Sequence, residues 1–581
     1  MVNVKNLFGM AVMATALVGC SSNDNLAPDG KDNVGKTGTA YAKFTIQLPT
    51  TNGTRAEGDP TPGTPSFNGG TADEYAVKDA QLVIFEKPDA SKGEGDYKFV
   101  ETVDIGNLEP WTDNTPNTGV TRYANITAQL NGVSLDKTGG KYFALVILNN
   151  EGPSKVTLPT TGMTYSTWND AKYAKSAADF LNSNNGFYMA NAPLYSTGEP
   201  TTLVPIGGVY STKAEAQTNP ATTVYVERGM AKVTVNGSDF TIDDESSTYK
   251  TDIVKINQWT LDVLNKSTFP VHVTTGLKTD FDAIWTTPRF VATGSTSTPQ
   301  RVYWGKDPNY NKSTLTTVEE CQKDFYIVDH KGNTYNGDAS STFTWSEKAT
   351  PLYCLENTFD LNNMKQGQTT RVVFKATYTP HNLTGTDKTF FMIGNNTQIW
   401  TKDALVAQIT SKAKEMLKSE AVVVTINTDA PLLKGGSHLL SSSDVTIKDG
   451  EVDKTETFDY PTLNTKLGLN NTEKDVNGNP TVGIKTYENG ECYYIARIKH
   501  FNELTPWESG KAYGTDNAKY LGRYGVLRNN WYDLTVSKVS APGYPDVPVV
   551  KPETTDDEDT KYINVEVKIL DWAKRSQQVE L

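Results

Sequence analysis

Two short strands of matching pattern, one near each end, constrain this chain more than any other feature. Residues 561–569 read KYINVEVKI, so Ile563, Val565, Val567 and Ile569 alternate with Asn564, Glu566 and Lys568. That is the period-2 pattern of a strand with one apolar face. Residues 41–48 read YAKFTIQL, with Phe44, Ile46 and Leu48 on one face. The C-terminal strand follows PGYPDVPVVKPETTDDEDT, residues 542–560. Its prolines and the acidic run Asp556 to Asp559 predict a solvated linker held extended by charge repulsion. Seven residues past Leu48 stands Arg55, in TNGTRAEGD, a polar stretch open to a protease. One strand before a cuttable site and another on a tether point to strand exchange between subunits.

The 581 residues carry 55 Lys+Arg against 68 Asp+Glu, a formal net charge of -13. That balance argues against nucleic acid as a partner and leaves no basic patch for a membrane surface. The 45 Gly, 28 Pro and 28 Tyr point to β-structure with many turns.

Residues 1–19 form an address rather than a folded element. Lys5 precedes an apolar run from Leu7 to Leu17, and the segment ends Leu17-Val18-Gly19-Cys20. The run is too short to span a bilayer as a helix. It resembles a bacterial lipoprotein signal, cut before Cys20, which is then acylated. Residues 21–40 read as a flexible polar spacer.

Ala76 to Phe85 and Lys141 to Leu148 are near-continuous apolar runs, the mark of central sandwich strands. Thr223 to Val235 reads as strand, kink at Gly229, strand. Further strands are expected at Val254 to Leu264, Pro270 to Thr274, Thr370 to Tyr378, Cys492 to Ile498 and Trp531 to Val536. Helices are expected at Asp170 to Leu181 and at Lys402 to Leu417, the second covering a sheet or an opening. The pattern is all-β with minor helices. It divides into a propeptide with a removable first strand (20–55), an N-terminal β-sandwich (56–228), a C-terminal β-sandwich (229–541), the linker (542–560) and the last strand (561–581).

Nothing nominates a catalytic centre, a cofactor or a metal. The five histidines (272, 330, 381, 438, 500) form no close pair. There is no GxSxG, Walker-type loop or GxGxxG. His272, in PVHV, reads as a packed or surface histidine. Asp307-Pro308-Asn309-Tyr310-Asn311 opens like a calcium loop, but Lys312 and Val318 replace the required Gly and Glu, so a turn is the better account. Asp475 to Asn479 reads as a hairpin turn. Apart from Cys20, three cysteines remain: Cys321, Cys354 and Cys492. One disulfide plus a free thiol, or three buried thiols, both fit. Trp259, Trp304, Trp345, Trp400, Trp507 and Trp531 offer a second reading, a surface lipoprotein that binds glycans, although core packing is their default.

Taken together, the lipobox at Cys20, the strand before Arg55-Ala56 and the terminal KYINVEVKILDWAKRSQQVEL resemble the fimbrillins of Bacteroidales type V pili. The likeness is greatest to the short-fimbria (minor fimbrillin) group. Arg228 with Ala231-Lys232-Val233 resembles that family's interdomain junction, and VLRNNWY (526–532) its last core strand. The resemblance implies two transthyretin-like Greek-key sandwiches and an extended C-terminal donor strand. It implies a lipoprotein precursor at the outer membrane, cut between Arg55 and Ala56 by an arginine-specific or trypsin-like protease. The strand bearing Phe44, Ile46 and Leu48 then leaves. A neighbour's strand, carrying Ile563, Val565, Val567, Ile569 and Trp572, fills the groove. Its partners would be identical subunits head-to-tail in an extracellular fimbrium, with anchor and tip pilins, supporting adhesion.

Overall fold

Segments whose apolar residues alternate, or run unbroken, build the first sheet. The computed structural model describes residues 39–49, 70–108, 112–113, 120–151, 156–170, 175–181, 186–195, 198–237, 239–282, 300–329, 333–470, 472–474, 478, 480–501, 520–557, 563–571 and 573–579. The main strands of this sheet are β1 (Ala40–Pro49), β2 (Ala80–Glu86), β3 (Lys98–Gly106), β4 (Val120–Leu130), β5 (Tyr142–Leu148), β6 (Met189–Asn191) and β7 (Thr222–Arg228). Their order is β3-β2-β5-β6-β7-β1-β4. The sheet curls on itself: Asn131 and Gly132, just past β4, donate their amides to the Glu101 carboxylate of β3. Leu82, Ile84, Val146 and Leu148 from one half then meet Phe44, Ile46, Leu48 and Val224 from the other. The opposite faces of β2 and β5 bury Val83, Phe85, Leu145 and Ile147 with Tyr165, Trp168 and Phe180. Both strands are covered on both sides, which is why they read as unbroken apolar runs.

Beyond Arg228 the chain turns at Gly229, where a Cβ would stand 2.2 Å from the Phe180 ring. It then enters two facing sheets. Their main strands are β8 (Ala231–Gly237), β9 (Ile253–Asp262), β10 (Leu352–Cys354), β11 (Arg371–Thr379), β12 (Glu491–Arg497), β13 (Asn530–Val539), β14 (Ile563–Asp571) and β15 (Ala573–Val579). One sheet has the order β10-β8-β13-β14-β15; the other joins Phe240–Thr241 to β9, β11 and β12. Val233, Val235 and Leu534 of the first pack with Trp259, Phe374, Tyr378 and Tyr494 of the second. The chain is thus mostly β-sheet with few helices, as the sequence pattern predicts.

A third core was not foreseen. Between β11 and β12, neighbours in one sheet, the chain makes an excursion with its own buried cluster. The expected helix, α2 (Lys402–Leu417), lies here. Thr401 caps it by accepting the Ala404 amide, and Leu405, Ile409 and Ala413 form its buried stripe. It covers a small sheet of Val422–Ile426, Val445–Asp449 and Val452–Asp453, beside α3 (Tyr460–Lys466). The excursion closes where the Gly394 amide donates to the Gly483 carbonyl at 3.0 Å.

Three local expectations fail. Asp170 to Leu181 is not one helix: Lys175–Ser176 pairs with Ser267–Thr268, and among the described residues of the segment only Ala177–Phe180 is helical, started by Ser176 accepting the Asp179 amide. Pro270 to Thr274 forms no strand; its one ladder contact is the bridge from Val273 to Lys306. The segment from Pro542 to Asp557 is not solvated. Val547, Val550, Asp556 and Asp557 are buried. Tyr544 exchanges backbone hydrogen bonds with Tyr493 at 2.8 and 2.7 Å. Prolines stop it from joining a sheet, but they do not prevent a fixed path across one.

Candidate strand-exchange site

β1 is a central strand. It runs antiparallel to β4 from Ala40 opposite Leu130 to Pro49 opposite Val120, and parallel to β7 from Phe44 to Gln47. Phe44 and Ile46 are fully buried and Leu48 is 2 % exposed. Burying each of these three side chains stabilises by about 1.5–3 kcal/mol. The other face is polar: Thr45 donates to Asn125 at 2.7 Å, and the Lys43 ammonium to the Gln217 carbonyl at 3.1 Å. Without β1, the facing edges of β4 and β7 would lose their hydrogen-bond partners above an apolar trough. Arg55 and Ala56 lie outside the described residues, as does Cys20.

The next fixed point along the chain is α1 (Ala72–Tyr75), one helical turn. Glu74 caps it, taking the Thr71 amide at 2.8 Å. The same buried carboxylate receives the Lys232 ammonium at 2.7 Å and the Tyr353 hydroxyl at 2.6 Å, while Arg228 Nε donates to the Glu74 carbonyl. Burial alone would raise the Glu74 carboxyl; the hydrogen bonds from Lys232 and Tyr353 outweigh it and hold it below the usual range. Lys232 also sits 3.9 Å from the Trp531 ring centroid. Arg228 and Lys232, read from the sequence as a junction, therefore fasten α1, together with Tyr353, to β7, β8 and β10. Thr71-Ala72-Asp73-Glu74 carries a capping-box signal for Glu74, but its cationic and hydroxyl partners Lys232 and Tyr353 are more than 150 residues away and left no local mark.

The C-terminal strand is present as β14, but it does not project from the body. It pairs antiparallel with β13, Ile563 opposite Val539 through Leu570 opposite Trp531, and the chain returns as β15. Trp572 lies outside the described residues. Beyond β14 the sheet holds only β15 among the described strands, so β14 can leave without opening the sheet's interior.

The other candidates resolve into packing. His272 is buried, its Nδ1 2.8 Å from Glu227 and its Nε2 3.1 Å from the Trp304 carbonyl. Asp307 makes a turn, accepting the Asn309 amide at 2.6 Å. The Asp475 to Asn479 turn falls largely outside the described residues. Cys321, Cys354 and Cys492 are unbridged and buried, and burial pushes each thiol up to about 12. Trp259 and Trp304 are core residues. Trp345 packs between Phe343 and Tyr493, Trp400 belongs to the excursion's core, and Trp531 lies under Lys232. Trp507 is outside the described residues. Those described share no common surface. No group of three potential metal ligands occurs among the described residues.

Residues 485–578, which take in β12, β13, the Pro542–Asp557 segment and β14, match the family described as major fimbrial subunit protein type IV, fimbrillin, C-terminal. That stretch of the chain is therefore similar to the C-terminal region of a fimbrillin. The chain's fold resembles that of a putative cell adhesion protein from Parabacteroides distasonis (10% identity, 92% of this chain and 100% of that one, TM-score 0.37). It also resembles a fimbrilin from Porphyromonas gingivalis W83 (10%, 92% and 99%, TM-score 0.32) and the tip fimbrial protein Mfa3 of Porphyromonas gingivalis (10%, 92% and 100%, TM-score 0.29). No curated protein matches the sequence.

Proposed function

We propose that this chain is a repeating stalk subunit of a fimbrium, exported as a lipoprotein acylated at Cys20, cut after Arg55 and polymerised by strand exchange. The observation that carries the reading is the place of β1. It is buried in the middle of a sheet, yet its only covalent path to the rest of that sheet runs through the segment holding Arg55. A cut there converts an internal strand into a removable peptide.

A neighbour's β14 entering in the direction of β1 rebuilds both ladders, and its apolar alternation fills the pockets that Phe44, Ile46 and Leu48 vacate. Before the cut, β1 is tethered to its groove and has a high effective concentration, so assembly waits for the protease. Donation from one end to a groove at the other does not close on itself, so it makes filaments with anchor and tip subunits at their ends. The role is structural rather than catalytic, in an extracellular fimbrium that supports adhesion.

Replacing Arg55 with Ala tests the reading. The expected product is full-length, membrane-bound monomer with no filaments in electron micrographs; undiminished filaments would contradict the cleavage step. Deleting residues 562–581 should block polymerisation while leaving a folded monomer.

A further inference from the structure

The segment read from sequence as a loose tether is docked from Tyr544 to Asp557, and its last two described residues, Asp556 and Asp557, are both buried. Arg371, itself paired with Asp262 at 2.7 Å, donates to the Pro548 carbonyl at 2.6 Å. Val550 packs with Val263, Leu315 and Phe325. The Gln366 amide donates to the Thr554 carbonyl at 2.9 Å. Asp556 accepts the Thr369 hydroxyl at 2.9 Å. Asp557 then receives Arg523 Nη1 on both oxygens, at 2.9 and 2.7 Å, and the Tyr524 hydroxyl at 3.0 Å. Asp557 is 1 % exposed, Arg523 3 % and Tyr524 1 %. A buried charge pair with an added hydroxyl donor is costly to open, because either partner alone would be left charged and dry.

We propose that the Arg523–Asp557 clasp is the fixed root of the C-terminal strand, and that it sets how far β14 reaches. The proposal rests on the strand-exchange reading above. Five residues, 558–562, lie between the clasp and Ile563. Fully extended, the path from Asp557 to Ile563 spans about 20 Å. If the segment undocked back to Pro548, fourteen residues would be free and the reach would grow to about 50 Å. A longer tether lowers the effective concentration of the strand at any one groove and loosens the spacing it imposes. With the clasp closed, a subunit offers its strand to the next copy from one defined point. Asp557 and Arg523 are positioning residues in this sense; neither touches the groove.

The test uses the full chain processed at Arg55, with three variants: Asp557→Asn, Arg523→Lys, and a Gly/Ser insertion of eight residues after Asp559 that leaves the buried groups intact. Hydrogen exchange on the unassembled protein reports the clasp. Amides of residues 554–557 should exchange at least tenfold faster in Asp557→Asn, part of the protection should return in Arg523→Lys, and the insertion should change nothing there. Electron micrographs report the reach. Wild-type filaments should show one sharp axial repeat, and both Asp557→Asn and the insertion should broaden or lengthen it. A repeat unchanged in the insertion variant, or unchanged in Asp557→Asn despite lost protection, overturns the clasp proposal. Absence of any filament from the processed wild type would instead overturn the strand-exchange reading, a separate outcome.

Discussion

Glu94 and Asp307 hold carboxyls where charge is costly. Burial pushes Glu94 up to about 7, against hydrogen bonds from the Leu203 and Thr202 amides, and pushes Asp307 up to about 7 against those from Thr358 and Asn309. The ordinary values are 4.5 and 3.8. Below those values both folded and unfolded chains hold the proton, so the full stability is present. Between them and about 7 only the folded chain holds it, and stability falls as pH rises; above that range nothing further is lost. Glu94 alone accounts for on the order of 3 kcal/mol over this window. Glu94→Gln keeps the oxygen that accepts both amides and removes the charge. Urea unfolding at pH 5 and pH 7.5 should therefore show a smaller difference in Glu94→Gln than in wild type; an equal difference would show that Glu94 is ionised in the fold. At Gly229 the steric argument is direct. Gly229→Ala puts a methyl against the Phe180 ring, and thermal unfolding should register a loss of about 1–3 kcal/mol.

At the scale of elements, β1 should outlast the cut that frees it. A cut at Arg55 would break none of its ladders to β4 and β7, so on the strand-exchange proposal the nicked monomer should keep the peptide. Mass spectrometry of nicked monomer under native conditions should find the N-terminal fragment still bound, and adding a peptide of residues 561–581 should release it. Loss of the fragment on cleavage alone would mean that the groove does not hold it. Phe44→Ala should cost the precursor about 3–5 kcal/mol but, if strand exchange has removed β1 as proposed, leave assembled filaments as stable as wild type.

Sequence pattern revealed these elements unevenly, for physical reasons. β1 and α2 were legible because each buries one face whose period is written locally, and β2 and β5 because both faces are buried and the whole run is apolar. The kink at Gly229 was legible because strands resume on either side of it. The Pro542–Asp557 segment was misread because its buried carboxylates are met by an Arg523 ion pair at Asp557 and a Thr369 hydroxyl donated to Asp556, partners no local window contains. Tyr544, Val547 and Val550 were the available hint that it packs. The distant partners of Glu74, Lys232 and Tyr353, were invisible for the same reason, although Thr71-x-x-Glu74 spells a local capping box. The place of β14 on its own sheet was not legible either, since an alternating strand fits any open edge.

For the whole molecule, the excursion between β11 and β12 is a module grafted on a continuous pair of strands. Its ends meet at Gly394 and Gly483, and its core is its own. Replacing residues 395–482 with a short Gly/Ser turn should leave the two facing sheets folded, as judged by circular dichroism and cooperative melting. If the shortened chain fails to melt cooperatively, the module supports the sandwich and is not a graft. The shortened chain should also still polymerise, because β1, the Arg523–Asp557 clasp and β14 all lie outside residues 395–482.

The central claim is that a neighbour's β14 occupies the place of β1, and cross-linking measures this most directly. Asn125 faces Thr45 across the β1–β4 ladder on its polar side. A cysteine at Asn125 combined with one at Asn564, Glu566 or Lys568 probes the exchanged register, and the three native thiols, buried and pushed up to about 12, stay silent. In filaments of processed chain, oxidation should give a ladder of covalent multimers on denaturing gels for at least one pairing. The Arg55→Ala precursor should give none. Processed filaments that yield no multimers at any of the three pairings, or a precursor that yields the same ladder, would contradict the account.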